Sequence, residues 1–409
     1  MTETGKKKTI WTHNFICIML ANCLLQMSHS STNALVSTYA SFLGAGPKLM
    51  GLLTGMFFAV ALAMRPVAGP VQTRSNQRTL MLGVFVIGCV VNVGYALFHS
   101  IPAFLLFRIL HGVQYAFVGS LCMVIASSSL PQERLASGLG VFGVSSAISQ
   151  AIAPHIGLGL RAWGTARGGE DFGYTAMFVF AALMMAAALI PTSLLRTERP
   201  TLKTQAAAPA GKWYRNILSR HTLAPAAVLM LLIMAYSIYN GYMVPFAEEI
   251  GVANIGVFFT VLAAVMLAAR PVSGALTDKL GSRVMLIPSA ALFLISFLMV
   301  GNASALPFIL AGAAVAATGY GAANPVMQAM AMQTEPPERR AVASNTLYVG
   351  MDIGYFIGPL LGGFVRDFAG NYRTVILFGA VPAALAAVIF LVFWPQCSRR
   401  IEAVKAMTK

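Results

Sequence analysis

Charge is what this sequence lacks. Of 409 residues, 10% are Asp, Glu, Lys or Arg, against about 25% in soluble domains. That is too little to cover a water-facing surface, so a soluble globular fold is excluded. Acidic residues are scarcest, 13 against 28 basic ones. The five cysteines are odd in number; Cys17, Cys23, Cys89 and Cys122 fall inside apolar segments and Cys397 just after one. They suggest neither a disulfide framework nor a metal site. There is no His-Glu-x-x-His, no dense acidic cluster and no Ser or Cys nucleophile with a base and an orienter. A membrane-embedded enzyme therefore finds no support. No nucleotide loop is present, so neither ATP nor a cofactor is expected. The ten-residue alternating segments of a transmembrane barrel are missing too.

What the chain has is apolar sequence, 57% of it, in runs of about 20 residues or more, the length that spans a bilayer as a helix. The expected fold class is an all-α membrane protein of twelve transmembrane helices. Their ranges are about 12–42, 47–72, 79–98, 101–130, 133–161, 173–195, 221–248, 252–277, 283–301, 305–334, 338–367 and 372–395. Lys6-Lys7-Lys8 before the first run is not followed by a small-residue cleavage site, so the first helix is expected to be retained. The longest hydrophilic stretch divides the chain into a half at 1–195, a linker at 196–220 and a half at 221–409. The net charge of +15 does not imply a nucleic-acid partner, because the basic residues sit in alternate loops. Twenty of the 28 lie on one side and five on the other. The positive-inside rule makes the richer side, with both termini and the linker, cytoplasmic in a cell membrane.

The two halves repeat. Arg65-Pro66-Val67-Ala68-Gly69, followed by Arg74 and Arg78, returns as Arg270-Pro271-Val272-Ser273-Gly274, followed by Asp278, Lys279, Gly281 and Arg283. The offset of 205 also relates Tyr115 to Tyr320, Glu133-Arg134 to Glu338-Arg339, and Pro154 and Gly157 to Pro359 and Gly362. A membrane chain of two parallel halves is the usual plan of a secondary transporter.

With these residues in view, the sequence resembles the major facilitator superfamily over nearly its whole length. That family carries a Gly-x-x-x-Asp-Arg/Lys-x-Gly-Arg/Lys-Arg/Lys loop after its second helix and an echo after its eighth. The second copy here fits at Gly274, Asp278, Lys279, Gly281 and Arg283. The first keeps Gly69, Arg74 and Arg78 but has Thr73 for the acid and Asn76 for the glycine. The resemblance implies a gating role for both loops. Arg108-Ile109-Leu110-His111-Gly112 fits the family's fourth-helix Arg motif, and Pro154 to Gly157 fits in part the fifth-helix kink of its antiporters. It also implies two six-helix bundles rocking around a central site, with helices 1, 4, 7 and 10 around the cavity and helix 2 against helix 11.

Ionisable groups in membrane helices are functional candidates by default. Asp352 is the one carboxylate deep in a predicted helix, and it could pair with Arg65. Such a pair is either a proton-exchanging site or a fixed contact that sets helix packing. Arg65 and Arg270 lie roughly 12 Å from their loops and either snorkel to the interface or line the cavity. Arg108 has no counterpart, position 313 being Ala, which favours a functional role. His29, His111 and His155 are alternative proton carriers. Polar residues three or four apart form stripes: Gln26, His29 or Ser30, and Asn33; Arg108, His111 and Tyr115; Tyr236 and Asn240; Tyr320, Asn324 and Gln328; Asn345, Tyr348, Asp352 and Tyr355. Of these, His29, Asn33, Arg108, His111, Tyr115, Tyr236, Asn240, Tyr320, Asn324, Gln328, Asn345 and Tyr348, together with Arg270, are the candidate cavity residues, with Arg65, Arg108 and Asp352 as the charge relay. The expectation is a monomeric alternating-access transporter whose partners are a small-molecule substrate, protons and the bilayer, in the manner of the family's proton-coupled efflux permeases. The alternative is uptake or exchange of small organic anions held by the intramembrane arginines.

Overall fold

A computed structural model describes residues 9–130, 135–196, 218–336 and 340–407. Every element is helical. α1 (His13–Asn33) is capped by the Thr12 hydroxyl, which accepts from the Phe15 amide. It breaks at Ala34–Leu35 and continues as Val36–Phe42. α2 (Pro47–Arg74) opens on a proline, where a missing N–H costs no helical bond. α3 (Gln77–Leu97) is capped by Asn76, whose side chain accepts from the amides of Arg78 and Thr79. α4 is Ile101–Ser128. Leu135–Ser193 is one helical run broken at Gly169, where φ is 83°; the parts before and after are α5 and α6. α7 (Leu223–Glu249), α8 (Gly256–Leu280), α9 (Ser282–Gly301), α10 (Leu306–Gln333) and α11 (Arg340–Ala369) follow. α12 is Tyr372–Phe378, capped by Asn371, with its continuation Ala380–Met407.

Three expectations change in detail. The loop expected at 162–172 is helix on both sides of Gly169, because a single glycine at positive φ turns the chain without a longer connection. The first helix is interrupted at Leu35, and the last runs past 395 to Met407. The linker at 197–217 and the repeated Glu-Arg pairs at 133–134 and 338–339 lie outside the described residues.

Nine stretches of the described residues are long and apolar enough to cross a membrane, and one, Val141–Ser193, holds both α5 and α6. α1 and α8 fall short of that measure. α1 does so because it carries Asn22, Gln26, Ser28, His29, Ser30, Ser31, Thr32 and Asn33. A spanning helix that polar must face protein or water rather than lipid. With these two, the chain makes twelve crossings.

α1 to α6 pack among themselves, as do α7 to α12, and two long interfaces join the groups, α2 with α11 and α5 with α8. The end of the bundle that carries residues 9 and 407 is the near end. At the far end, Lys48 of α2 pairs with Asp367 of α11 at 2.9 Å and Arg161 of α5 with Glu248 of α7 at 2.6 Å. The Ser37 hydroxyl also donates to the Gly241 carbonyl across the groups. α2 and α11 approach closely there. A Cβ on Gly51 would lie 2.5 Å from the Pro359 carbonyl oxygen, and one on Gly55 2.5 Å from that of Phe356.

Candidate central cavity and ion pair

Between the two groups lies a cavity of about 200 Å³. Its wall is built from α1, α2, α4 and α5 on one side and α7, α8 and α11 on the other. The polar stripe of α1 supplies Gln26, His29, Ser30 and Asn33; α4 supplies Arg108, His111 and Tyr115; α7 supplies Tyr236 and Asn240. Helical spacing of three and four puts each set on one face, and burial of the opposite face in its own bundle turns it inward.

Arg108 is almost wholly buried, 2% exposed. Its Nε donates to the Leu53 carbonyl at 3.0 Å and its Nη2 to the Thr54 carbonyl at 2.8 Å, both on α2. Tyr95 of α3 is a third hydrogen-bonding neighbour. The guanidinium also lies 5.1 Å from the centre of the Phe57 ring, a cation–π distance. Among the described residues no carboxylate is within ion-pair reach of it. His111, one helical turn on, meets the Tyr95 hydroxyl through Nδ1 at 3.4 Å. Its Nε2 is buried with no hydrogen-bond partner. The His29 ring lies 5.0 Å from that of His111, and its Nε2 meets the Gln114 side-chain oxygen at 3.2 Å. Phe57 packs edge-on to His111 and 4.6 Å from Tyr115, while Phe58 stacks on Tyr355 at 4.4 Å across the two groups.

Nearer the terminal end, Arg65 of α2 and Asp352 of α11 form a two-point ion pair. Nε donates to Oδ2, and Nη2 to Oδ1 at 3.0 Å. The Asp352 side chain is 4% exposed and that of Arg65 22%. Tyr348 places its ring 5.2 Å from the guanidinium carbon, so this residue of the α11 stripe attends the ion pair. Asn345 lies one turn before Tyr348 on α11, and neither is part of the cavity wall.

The α10 stripe, expected at the cavity, is not part of the wall of this one. Asn324 donates to the Tyr320 hydroxyl at 2.8 Å and Gln328 donates to Asn324 at 2.5 Å, a ladder running along the helix. The Tyr236 ring lies flat on Tyr320 at 4.3 Å, and it is Tyr236 that forms the wall. Residues not expected at the cavity from the sequence complete the site. Phe57 and Phe58 belong to α2, Gln150 and Pro154 to α5, and Phe259, Leu262 and Met266 to α8. Gln150 and Pro154 are four apart, a stripe readable in the sequence; the apolar residues of α8 carry no signal that separates them from lipid-facing positions.

Of the loop positions, Arg78 and Arg283 are exposed at the starts of α3 and α9. Gly281 sits between α8 and α9 at φ 85°, a conformation that selects glycine. The backbone places Gly69 and Arg74 in α2, and Arg270, Gly274, Asp278 and Lys279 in α8. Their side chains lie outside the described residues.

Comparison with known proteins agrees with this architecture. The family model described as Major Facilitator Superfamily matches residues 18–252 and 225–407. An uncharacterised MFS-type transporter of Methanocaldococcus jannaschii is 24% identical over 85% of this chain and 90% of its own. The staphylopine export protein of Staphylococcus aureus is 20% identical over 90% of this chain and 94% of its own. Multidrug resistance protein MdtG of Dickeya zeae is 30% identical over 42% of each chain. Among solved structures, a bacterial homologue of the human lysosomal transporter Spinster, in an inward-facing state, superposes with a TM-score of 0.81 at 17% identity, covering 98% of this chain and 99% of that one. A helical membrane bundle of two six-helix groups around a polar cavity, matched along its length by this family model, belongs to the Major Facilitator Superfamily and is a transporter rather than an enzyme.

Proposed function

We propose that this transporter exports a small organic solute in exchange for protons, as a monomer, with both termini in the cytoplasm. The halves 1–195 and 221–409 are the rocking bodies and 196–220 the tether. Export is supported by the activities of the relatives, the staphylopine exporter and the multidrug resistance proteins. The excess of basic residues at the near end supports the orientation.

The observation that carries proton coupling is the Arg65–Asp352 pair. It ties α2 to α11 across the two halves on the near side of the cavity. Parting these helices there leaves two buried charges without partners, a cost of about 3–5 kcal/mol. Protonating Asp352 first removes one of the charges. A proton arriving from outside therefore favours opening towards the cytoplasm, and its departure favours closure. His29 and His111, on the cavity wall, are the other groups able to hold a proton. Far-end closure rests on Lys48–Asp367 and Arg161–Glu248, pairs that must separate for release.

Everted membrane vesicles energised by respiration test this reading. Chloramphenicol, ethidium and benzoate are added in turn while an acridine dye follows the proton gradient. The expected result is partial discharge by at least one compound in the native protein and none in Asp352→Asn. Discharge of equal size in the variant would remove Asp352 from the mechanism. A second reading, uptake or exchange of organic anions, is favoured by Arg108, a buried cation at the cavity with no carboxylate partner among the described residues. It predicts gradient discharge in right-side-out vesicles instead.

A further inference from the structure

The two walls of the cavity differ in kind. On the first half stand the ionisable Arg108, His29 and His111 beside the Phe57 ring. On the second stand Phe259, Leu262 and Met266 of α8. Asn240 and the Tyr236 hydroxyl are polar exceptions, and the stacked Phe58–Tyr355 pair bridges the two sides. Among the described residues no Asp or Glu belongs to the wall. Asp352, on the near side of the cavity, is held by both oxygens on Arg65.

From this we infer that the transported solute is a small amphipathic organic anion. Its negative group sits against Arg108 and His111, and its aryl or alkyl body lies against the α8 wall. The inference rests on the cavity being the transport site and adds the chemistry of what enters it.

Three observations converge. First, Arg108 carries a charge that neutral acceptors surround and none balances. Its partners are two backbone carbonyls and a phenol. A guanidinium has five N–H donors, so donors remain after these partners are counted. A buried cation without a counter-ion is expensive, and an arriving carboxylate or sulfonate supplies one. A cationic solute would instead add a second positive charge in a low-dielectric cavity. Second, His111 holds a buried Nε2 without a partner beside that guanidinium. When the Tyr95 hydroxyl donates to Nδ1, Nε2 carries the hydrogen and is an unused donor, again suited to an anion. Third, size limits the solute. About 200 Å³ falls below the roughly 300–1,000 Å³ of pockets that hold drug-sized ligands. A bulky multidrug substrate does not fit this state, whereas a single ring with a short acidic arm does.

Ligand-dependent thermal unfolding of the purified full-length protein tests the inference, using 3-phenylpropionate, 3-phenylpropionamide, 3-phenylpropylamine and acetate. The expected order has the aryl carboxylate stabilising most. The amide should bind about tenfold or more weakly, as loss of a charged hydrogen bond requires. The amine should give no shift, and acetate should be weaker than the aryl acid. Arg108→Gln should abolish the preference for the carboxylate over the amide. If that variant does not fold, His111→Ala should reduce the preference, and the ligand series on the native protein stands without either. Stabilisation by the amine, equal stabilisation by amide and carboxylate, or no shift with any carboxylate overturns the assignment; acetate equalling the aryl acid overturns the apolar half of it. Binding here is independent of direction and of Asp352. Carboxylate binding without gradient discharge in vesicles would therefore sink the proton-exchange reading alone.

Discussion

At the offset of 205 residues, Arg108 of α4 answers to Ala313 of α10, His111 to Ala316, and Tyr95 of α3 to Val300 of α9. The first half uses these positions to bury a cation, an imidazole and a phenol in contact with one another. The second fills them with methyl groups, and Val300, Ala313 and Ala316 are fully buried. The α2–α11 interface carries the Arg65–Asp352 pair, while the corresponding position of Asp352 in α5 is Ala147. Where the copies agree at a glycine, as at Gly157 of α5 and Gly362 of α11, the shared residue marks a close helix contact. Arg108 and Asp352, two positions where they disagree by a charge, lie at the cavity and at the junction of the halves. At these two charges, loss of symmetry between the halves coincides with the residues proposed to carry chemistry.

The strongest way to break this contrast is to remove one member of the asymmetric ion pair. Arg65→Ala strands Asp352 and should lower stability by about 3–5 kcal/mol, read by thermal unfolding in detergent. Arg65→Ala combined with Asp352→Ala should recover most of that stability without recovering proton-coupled transport. Recovery of coupled transport in the double variant would make the pair a packing contact only. A smaller effect comes from the crossings between the halves. Gly51→Ala sets a methyl 2.5 Å from a backbone carbonyl, an overpacking worth about 1–3 kcal/mol. Gly256→Ala, at the α5–α8 crossing, should be milder, because its nearest neighbour is the His155 side chain at 2.8 Å, which can turn aside. Equal losses in the two variants would erase the distinction between the interfaces. The smallest expected effect is at the far end. Glu248→Gln removes a half-exposed partner of Arg161, for about 0–1 kcal/mol. It should raise labelling of Ser37→Cys by a membrane-impermeant maleimide; unchanged labelling would mean that this ion pair does not hold the far end shut.

Much of this was legible in the sequence, for identifiable reasons. Runs of about 20 apolar residues broken by short charged loops fix the twelve crossings, because a bilayer leaves the backbone no other way to satisfy its hydrogen bonds. The repeat and the helix order that the family resemblance implies brought Arg65 towards Asp352, since each is a rare charge in an apolar run. The partners of Arg108 were not legible. Two of them are backbone carbonyls of α2, and no side-chain spacing announces a carbonyl. The α10 ladder was not legible for a related reason. Tyr320, Asn324 and Gln328 share a face at the same spacing as a cavity stripe, and spacing cannot tell side chains that satisfy one another from side chains that await a solute. The hinge at Gly169 was read as a longer loop because polar, glycine-rich sequence around a tight turn looks the same as a connection.

One measurement bears most directly on the coupling of a proton to the movement of the halves. Spin labels at Arg78→Cys and Arg283→Cys, exposed near-end positions related by the internal repeat, would report the separation of the two halves in a background without the five native cysteines. Lowering the pH should lengthen the near-end distance in the native sequence, because protonating Asp352 weakens its hold on Arg65. Asp352→Asn should give the longer distance at every pH. A pH response of the same size in that variant would contradict the account, placing the coupled proton elsewhere.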